Sequence, residues 1–202
     1  MNIAIFGFGA VAQKLAKLLS NVGHDITIGV REKDKIVSPY PVFSFADAII
    51  PADIVILAIP FSACQELCLE LSEILSNKII IDCTNPLNPD WSPIHLENNM
   101  SAAEKIAQWL PKATIVKAFN TIFADMMDKS LTLKNQKITA FIASDNNIAK
   151  QKVINLAETM GFNPLDVGGL HVAKYLESMA HLNIQIAVTQ GKGTSAAIIY
   201  TH

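Results

Sequence analysis

Charge is scarce in this sequence. Of its 202 residues only 17% are Asp, Glu, Lys or Arg, while 50% are hydrophobic, and the formal net charge is −2. Ordinary globular domains carry about 25% charged residues. High hydrophobicity with little net charge excludes intrinsic disorder. The lack of a basic excess argues against a nucleic-acid partner. Long apolar runs are missing too. A membrane-crossing helix needs about 20 consecutive apolar residues, and the longest run here is Ile54-Val55-Ile56-Leu57-Ala58-Ile59-Pro60-Phe61. No membrane association is expected. The opening Asn2-Ile3-Ala4-Ile5-Phe6 lacks the basic stretch of a secretory leader. Three cysteines, Cys64, Cys68 and Cys83, do not make a disulfide framework. The expected compartment is reducing and cytoplasmic.

Several catalytic signatures are also missing. No tyrosine is followed four residues later by lysine, and no G-x-S-x-G, H-E-x-x-H or C-x-x-C occurs. Cys64 and Cys68 have no nearby histidine and read as buried core residues, so no metal site is expected. No catalytic acid or base stands out. Ketone or imine reduction needs a proton donor beside the hydride. Hydride exchange between a nicotinamide and a flavin-like ring needs chiefly two stacked rings held at the right distance.

What is present is alternation. Short β-branched runs at Ile3–Phe6, Ile26–Val30, Ile54–Ile59, Ile79–Asp82, Thr114–Phe119 and Ile138–Ala143 suit strands buried on both faces. A seventh strand is expected at Ala196–Tyr200. Helical patterns fill the gaps at Gly9–Val22 and Ser62–Leu75. Ser101-Ala102-Ala103-Glu104 reads as a capping box for a helix ending near Pro111. Asp145 is expected to cap a helix running to Met160, with Gly161 just beyond. The loop Asn85–Met100 is the expected mobile element. The pattern predicts one α/β domain over residues 1–202, with a doubly wound, mostly parallel sheet, a C-terminal helix and a final strand.

The last helical segment, His171–Gln190, confines Lys174, Ser178, His181 and Gln185 to one narrow stripe; most of the rest is apolar. Such a helix is buried on more than one side. A second subunit would supply the second side, making a homodimer; burial within one subunit is the alternative.

Gly7-Phe8-Gly9-Ala10-Val11-Ala12 follows the first strand and opens the first helix. In such a G-x-G-x-x-A turn the first glycine permits the bend. The second lets the backbone approach a pyrophosphate, and the small third residue allows close helix–strand packing. The helix N-terminus offers free N–H groups to phosphates. At the end of the second strand an acid would select NAD and a base NADP. Val30 is followed there by Arg31, with Lys33 and Lys35 behind it. Arg31 is the expected clamp for a 2′-phosphate, with Lys35 in support. The plainer alternative is a solvated basic loop, partly neutralised by Glu32 and Asp34.

Further segments complete a pattern: Ala58-Ile59-Pro60, Asp82-Cys83-Thr84-Asn85-Pro86-Leu87, Val116-Lys117-Ala118-Phe119-Asn120-Thr121 and Asp166-Val167-Gly168-Gly169-Leu170. Together with the glycine turn and Gly29-Val30-Arg31, they resemble the dinucleotide-binding enzymes related to NADPH-dependent reductases of the 8-hydroxy-5-deazaflavin coenzyme. They are equally similar to the cytosolic oxidoreductase domain of six-transmembrane ferric and cupric reductases. The resemblance implies a Rossmann-type domain that dimerises through its C-terminal helix. It implies NADP(H) over Gly7, Phe8, Gly9, Ala10 and Val11, with Val30, Arg31 and Lys35 at the 2′-phosphate. Ala58, Ile59, Pro60 and Ala118 would border the cofactor. Asn85, Pro86, Phe119, Asn120 and Thr121 would line the pocket of a small-molecule acceptor, a deazaflavin or flavin. Two residues depart from the deazaflavin reductases: Val30 stands where serine is usual, and Asn120 where histidine is.

Three functions follow as expectations. The first is an NADPH-dependent oxidoreductase passing hydride to a deazaflavin or flavin. The second is a reductase of a small carbonyl or imine, with Lys117 or His95 as acid. The third is a non-catalytic module that senses NADP(H).

Overall fold

The computed structural model of the chain describes residues 1–127 and 132–201. Six parallel strands form the main sheet: β1 (Asn2–Phe6), β2 (Asp25–Gly29), β3 (Val42–Phe43), β4 (Ile54–Leu57), β5 (Ile79–Asp82) and β6 (Thr114–Lys117). Their spatial order is β3-β2-β1-β4-β5-β6. The order reverses between β1 and β4, and ligands of such sheets bind outside the carboxyl ends of the strands at that switch point. The connecting helices are α1 (Ala10–Asn21), α2 (Phe45–Ile49), α3 (Cys64–Glu70) and α4 (Ala102–Trp109).

Successive strand residues serve opposite layers. Ile3, Ile5, Ile54 and Ile56 pack with Leu15 and Leu19 of α1. Ala4, Phe6, Val55 and Leu57 pack with Ile49, Leu67 and Ile106 on the opposite side. Every residue of β4 is buried. A sheet covered on both faces absorbs most of the apolar surplus, which is why its strands are runs rather than alternations.

After β6, the short hairpin β7 (Thr132–Leu133) and β8 (Gln136–Lys137) leads to β9 (Thr139–Ile142). β9 pairs in parallel with β10 (Asn163–Asp166) through α5 (Asn147–Met160). An antiparallel bridge between Lys117 and Ala143 ties this pair to β6. The last helix is α6 (Ala173–Ile184), extended by a wider turn over Gln185–Thr189.

Two local expectations are corrected. Ala196–Tyr200 is not a strand: it is half-buried, and Tyr200 N–H donates to Thr139 Oγ1 at 2.9 Å instead of to a backbone ladder. Its apolar residues reflect side-chain packing, with Ala197 and Ile198 against two separate clusters. Asp145 does not cap α5. Asn146 does, accepting from Ala149 N–H at 2.9 Å, while Asp145 accepts from Leu170 N–H at 2.8 Å. Ser101 and Glu104 do form a capping box, and Gly161 ends α5 in the left-handed region at φ 103°. No helix among the described residues is long and apolar enough to cross a membrane.

Candidate active site

The glycine turn sits at the switch point. Gly7 has φ 94°, and its N–H donates to the Gly29 carbonyl at 2.9 Å. A Cβ at Gly7 would lie 2.6 Å from the Ala58 carbonyl oxygen and 2.9 Å from Ile59 Cγ2. The turn is thus seated against the end of β4, and only glycine fits. Gly9 behaves differently. It is the N-cap of α1 in an extended conformation, and a Cβ there would meet nothing within 4 Å. As a glycine, Gly9 brings no capping side chain to α1. The open space over Gly9 and the helix start suit a pyrophosphate, so these residues fit a dinucleotide.

Beyond β2, Val30 is buried and its N–H donates to the Phe43 carbonyl at 3.1 Å. Arg31 is largely exposed and reaches α3, where it pairs with Glu66 at 3.4 Å. Lys35 is exposed and pairs with Glu32 at 2.5 Å in a turn beside the strand. Arg31 borders two clefts of about 220 Å³ each. One sets the polar groups Ser44, Glu66 and Glu70 among apolar walls. The other is apolar, formed by Phe45, Ile59, Pro60, Ala63 and Leu67. Lys35 lines neither.

A larger cleft of about 340 Å³ begins at Ala10 and Val11 of α1 and runs along Asn85, Phe119, Asn120 and Thr121. Residues expected at the cofactor and at the acceptor therefore share one space. Pro86 is not among the cleft's walls, and Ala118 is fully buried behind them. Phe119 takes φ 64°, a left-handed conformation rare for a bulky residue, and rests on Phe162 at 5.6 Å between ring centroids. Asn85 and Asn120 are reciprocally bonded: Asn85 Nδ2 donates to the Asn120 carbonyl and Asn120 Nδ2 to Asn85 Oδ1, both at 2.9 Å. Asn120 Oδ1 is buried with no partner among the described residues. Trp91, Asn183 of α6 and Thr194 of the C-terminal tail also line the cleft. Sequence reasoning missed these three, because no local pattern marks residues brought in from remote segments.

It also missed a charged node beneath the cleft. Lys117 is completely buried. Its Nζ lies 2.9 Å from Asp82 Oδ2 and 2.8 Å from Glu177 Oε1, and donates to the Thr84 carbonyl at 2.5 Å. Asp82 Oδ1 accepts from Thr84 N–H at 2.8 Å. Glu177 Oε2 also accepts from Ala102 N–H at the start of α4 at 2.9 Å. The node joins β5, β6, α4 and α6 and braces the turn that carries Cys83 and Asn85. Burial opposes the charge on Lys117, but Asp82 and Glu177 outweigh it and hold the ammonium above the usual lysine value. Burial, then the Asp82 charge, lifts the Glu177 carboxyl above its ordinary range against the pull of Lys117.

Among the described residues the remaining titratable groups do not assemble a general acid. His95 is exposed and lies in another cleft, beside Phe61 and Trp109. His181 is lowered by burial and then by the nearby His95 and Lys117 charges. Cys64 and Cys68 are buried and Cys83 is partly so; burial pushes Cys68 up to about 12 and raises the other two as well. Among the described residues no group of His, Cys, Asp and Glu could hold a metal ion.

Comparison with known proteins agrees with this geometry. Residues 2–86 match the family described as NADP oxidoreductase, coenzyme F420-dependent. The chain is 28% identical over 211 residues to the F420-dependent NADP reductase of Methanothermobacter marburgensis, covering 93% of each. It is 31% identical over 183 residues to the metalloreductase STEAP2 of Mus musculus, covering 89% of this chain but 36% of that protein. The chain thus spans about a third of the length of the metalloreductases it matches. A crystal structure provisionally assigned as an F420-dependent NADP reductase, from Arthrobacter sp. FB24, superposes with a TM-score of 0.88 at 25% identity over all of both chains. With its switch-point glycine turn and its Rossmann-type sheet, the chain is similar in sequence and fold to NADP-dependent reductases of the coenzyme F420-dependent type, and its residues 2–86 carry that family's pattern.

Proposed function

We propose that this protein binds NADPH across the glycine turn and passes its hydride to a deazaflavin or flavin stacked in the 340 Å³ cleft. One observation carries the reading: the cleft begins at Ala10 and Val11 and continues past Asn85, Phe119 and Asn120 without interruption. A nicotinamide extending from a pyrophosphate at Gly9 would enter it directly. Among the described residues lining the cleft, only Cys83 and Asp125 are titratable. Asp125 already accepts from the Thr194 hydroxyl. The walls are therefore suited to holding two rings rather than to protonating a carbonyl.

When bound, NADPH supplies the hydride. The chain's part is to position and to exclude water. Gly7 seats the turn, Arg31 offers its guanidinium to the 2′-phosphate, and Ile59 and Pro60 give the adenine an apolar wall. Phe119 and the Asn85–Asn120 pair shape the acceptor side. The carbonyl or imine reading would require an acid at the cleft, and Lys117 is sealed in its ion pairs while His95 lies elsewhere.

A second copy of the chain belongs on the outer face of α6 in this reading. Tyr175 and Leu182 are exposed there, with Ile186 on the following turn, and the cleft wall at Ala180 and Asn183 comes from the same helix. The three free cysteines suit a reducing cytoplasm.

The test is direct. Purified protein is mixed with NADPH and either a deazaflavin or a flavin, and nicotinamide absorbance is followed. Oxidation with one acceptor supports the reading; no oxidation with either overturns it. Binding of NADPH without turnover would favour a sensor. Replacing Arg31 by Ala should weaken NADPH by roughly 10- to 100-fold and NADH far less, the worth of a charge-assisted hydrogen bond. Equal weakening of both would remove Arg31 from the 2′-phosphate.

A further inference from the structure

The cleft that would receive a 2′-phosphate carries the wrong balance of charge. Its walls include Arg31, the single cation among the described lining residues, and two carboxylates, Glu66 and Glu70, one turn apart on α3. Ser44 is already engaged: its hydroxyl donates to Asp47 Oδ2 at 2.7 Å and accepts from Asp47 N–H at 3.2 Å. Arg31 itself is turned across to Glu66, Nη2 to Oε2 3.4 Å, with the two side chains 72% and 78% exposed. A pair so exposed is weak and easily exchanged.

We propose that Glu66 is a specificity-determining residue. It competes with the 2′-phosphate for Arg31 and lowers the preference for NADPH over NADH below what Arg31 alone would give. Two physical effects act in the same direction. A phosphate must draw Arg31 away from Glu66 and then sit near the Glu66 charge, both unfavourable. A ribose 2′-hydroxyl has no such conflict, since it can donate to a carboxylate, the chemistry by which acidic residues select NAD. Glu70, on the same face, adds to the repulsion. The sequence concealed this because Glu66 lies 35 residues from Arg31 and on a different element. The inference rests on the NADP(H) reading above.

The experiment compares NADPH and NADH affinity for the wild type and the Glu66→Gln variant at low and high salt. The charge is removed and the shape kept, and the exposure of the site makes unfolding no concern. Expected is a roughly two- to five-fold rise in the NADPH-to-NADH preference, the range of an exposed pair, shrinking as salt screens the charges. A Glu66→Gln/Glu70→Gln double variant should raise it further. An unchanged or lower preference, with both nucleotides binding, overturns the role of Glu66 and leaves the cofactor reading standing. Binding of neither nucleotide by the wild type overturns both.

Discussion

Replacing Lys117 with Met should be among the most damaging single changes in this protein. Met is close to lysine in length and apolar, so the loss is of charge and hydrogen bonds rather than of volume. Lys117 is completely buried and bonded to Asp82, Glu177 and the Thr84 carbonyl. Without it, Asp82 and Glu177 stay buried with no cation between them. Breaking a buried pair on one side costs about 3–5 kcal/mol, a large share of the roughly 5–15 kcal/mol that keeps a domain folded. For a chain of this size each kcal/mol moves Tm by about 2–4 °C, so Tm should fall by roughly 6–20 °C. Urea unfolding followed by the fluorescence of Trp91 and Trp109 gives the free energy. The deficit should depend on pH in a defined sense. A carboxyl whose folded pKa is raised, as at Glu177, costs stability as pH rises through that pKa. Without Lys117 the effect grows, so the variant should recover relative to wild type as pH falls. A loss under about 1 kcal/mol, or a deficit that widens on acidification, would refute an ionised node.

The two glycines of the turn should separate folding from binding. Gly7→Ala places a Cβ 2.6 Å from a backbone oxygen at positive φ and should cost at least about 1–2 kcal/mol in urea unfolding. Gly9→Val enters open space and should stay within about 0.5 kcal/mol of wild type, yet calorimetric NADPH affinity should fall by ~10-fold or more; unchanged affinity would remove the pyrophosphate from Gly9. His181 has its pKa lowered by burial and by the His95 and Lys117 charges, so below about pH 6.5 the unfolded chain takes up the proton first and stability falls with acid. His181→Gln should flatten that part of the stability-against-pH curve, and parallel curves would refute it. Leu182→Glu with Ile186→Lys, on the exposed face of the last helix and its extension, should convert a dimer to a monomer in sedimentation without lowering Tm below that of the separated subunit. A wild-type chain already monomeric at high concentration would dismiss the interface.

Much of this protein was determined locally by its sequence. The buried strands announce themselves as β-branched runs because both faces of a parallel sheet are covered. The glycine turn, the Ser101–Glu104 capping box and the left-handed Gly161 are legible because each depends on residues within a few positions of one another. Tertiary structure decided what depends on distant partners. Val42–Phe43 and Asn163–Asp166, the latter containing Pro164, are strands only because β2 and β9 offer edges to them. Ala196–Tyr200 has the apolar pattern of a strand but found side chains to cover instead of an edge to pair with. Asp145 could have capped α5 until Leu170, 25 residues away, supplied a better donor. The ion-paired Lys117 and the Arg31–Glu66 contact join charges 35 or more residues apart. A sequence shows that a charge exists. Whether it is paired, buried or free to meet a ligand is settled when the chain closes, since the strength of an ionic contact follows its distance and its exclusion from water.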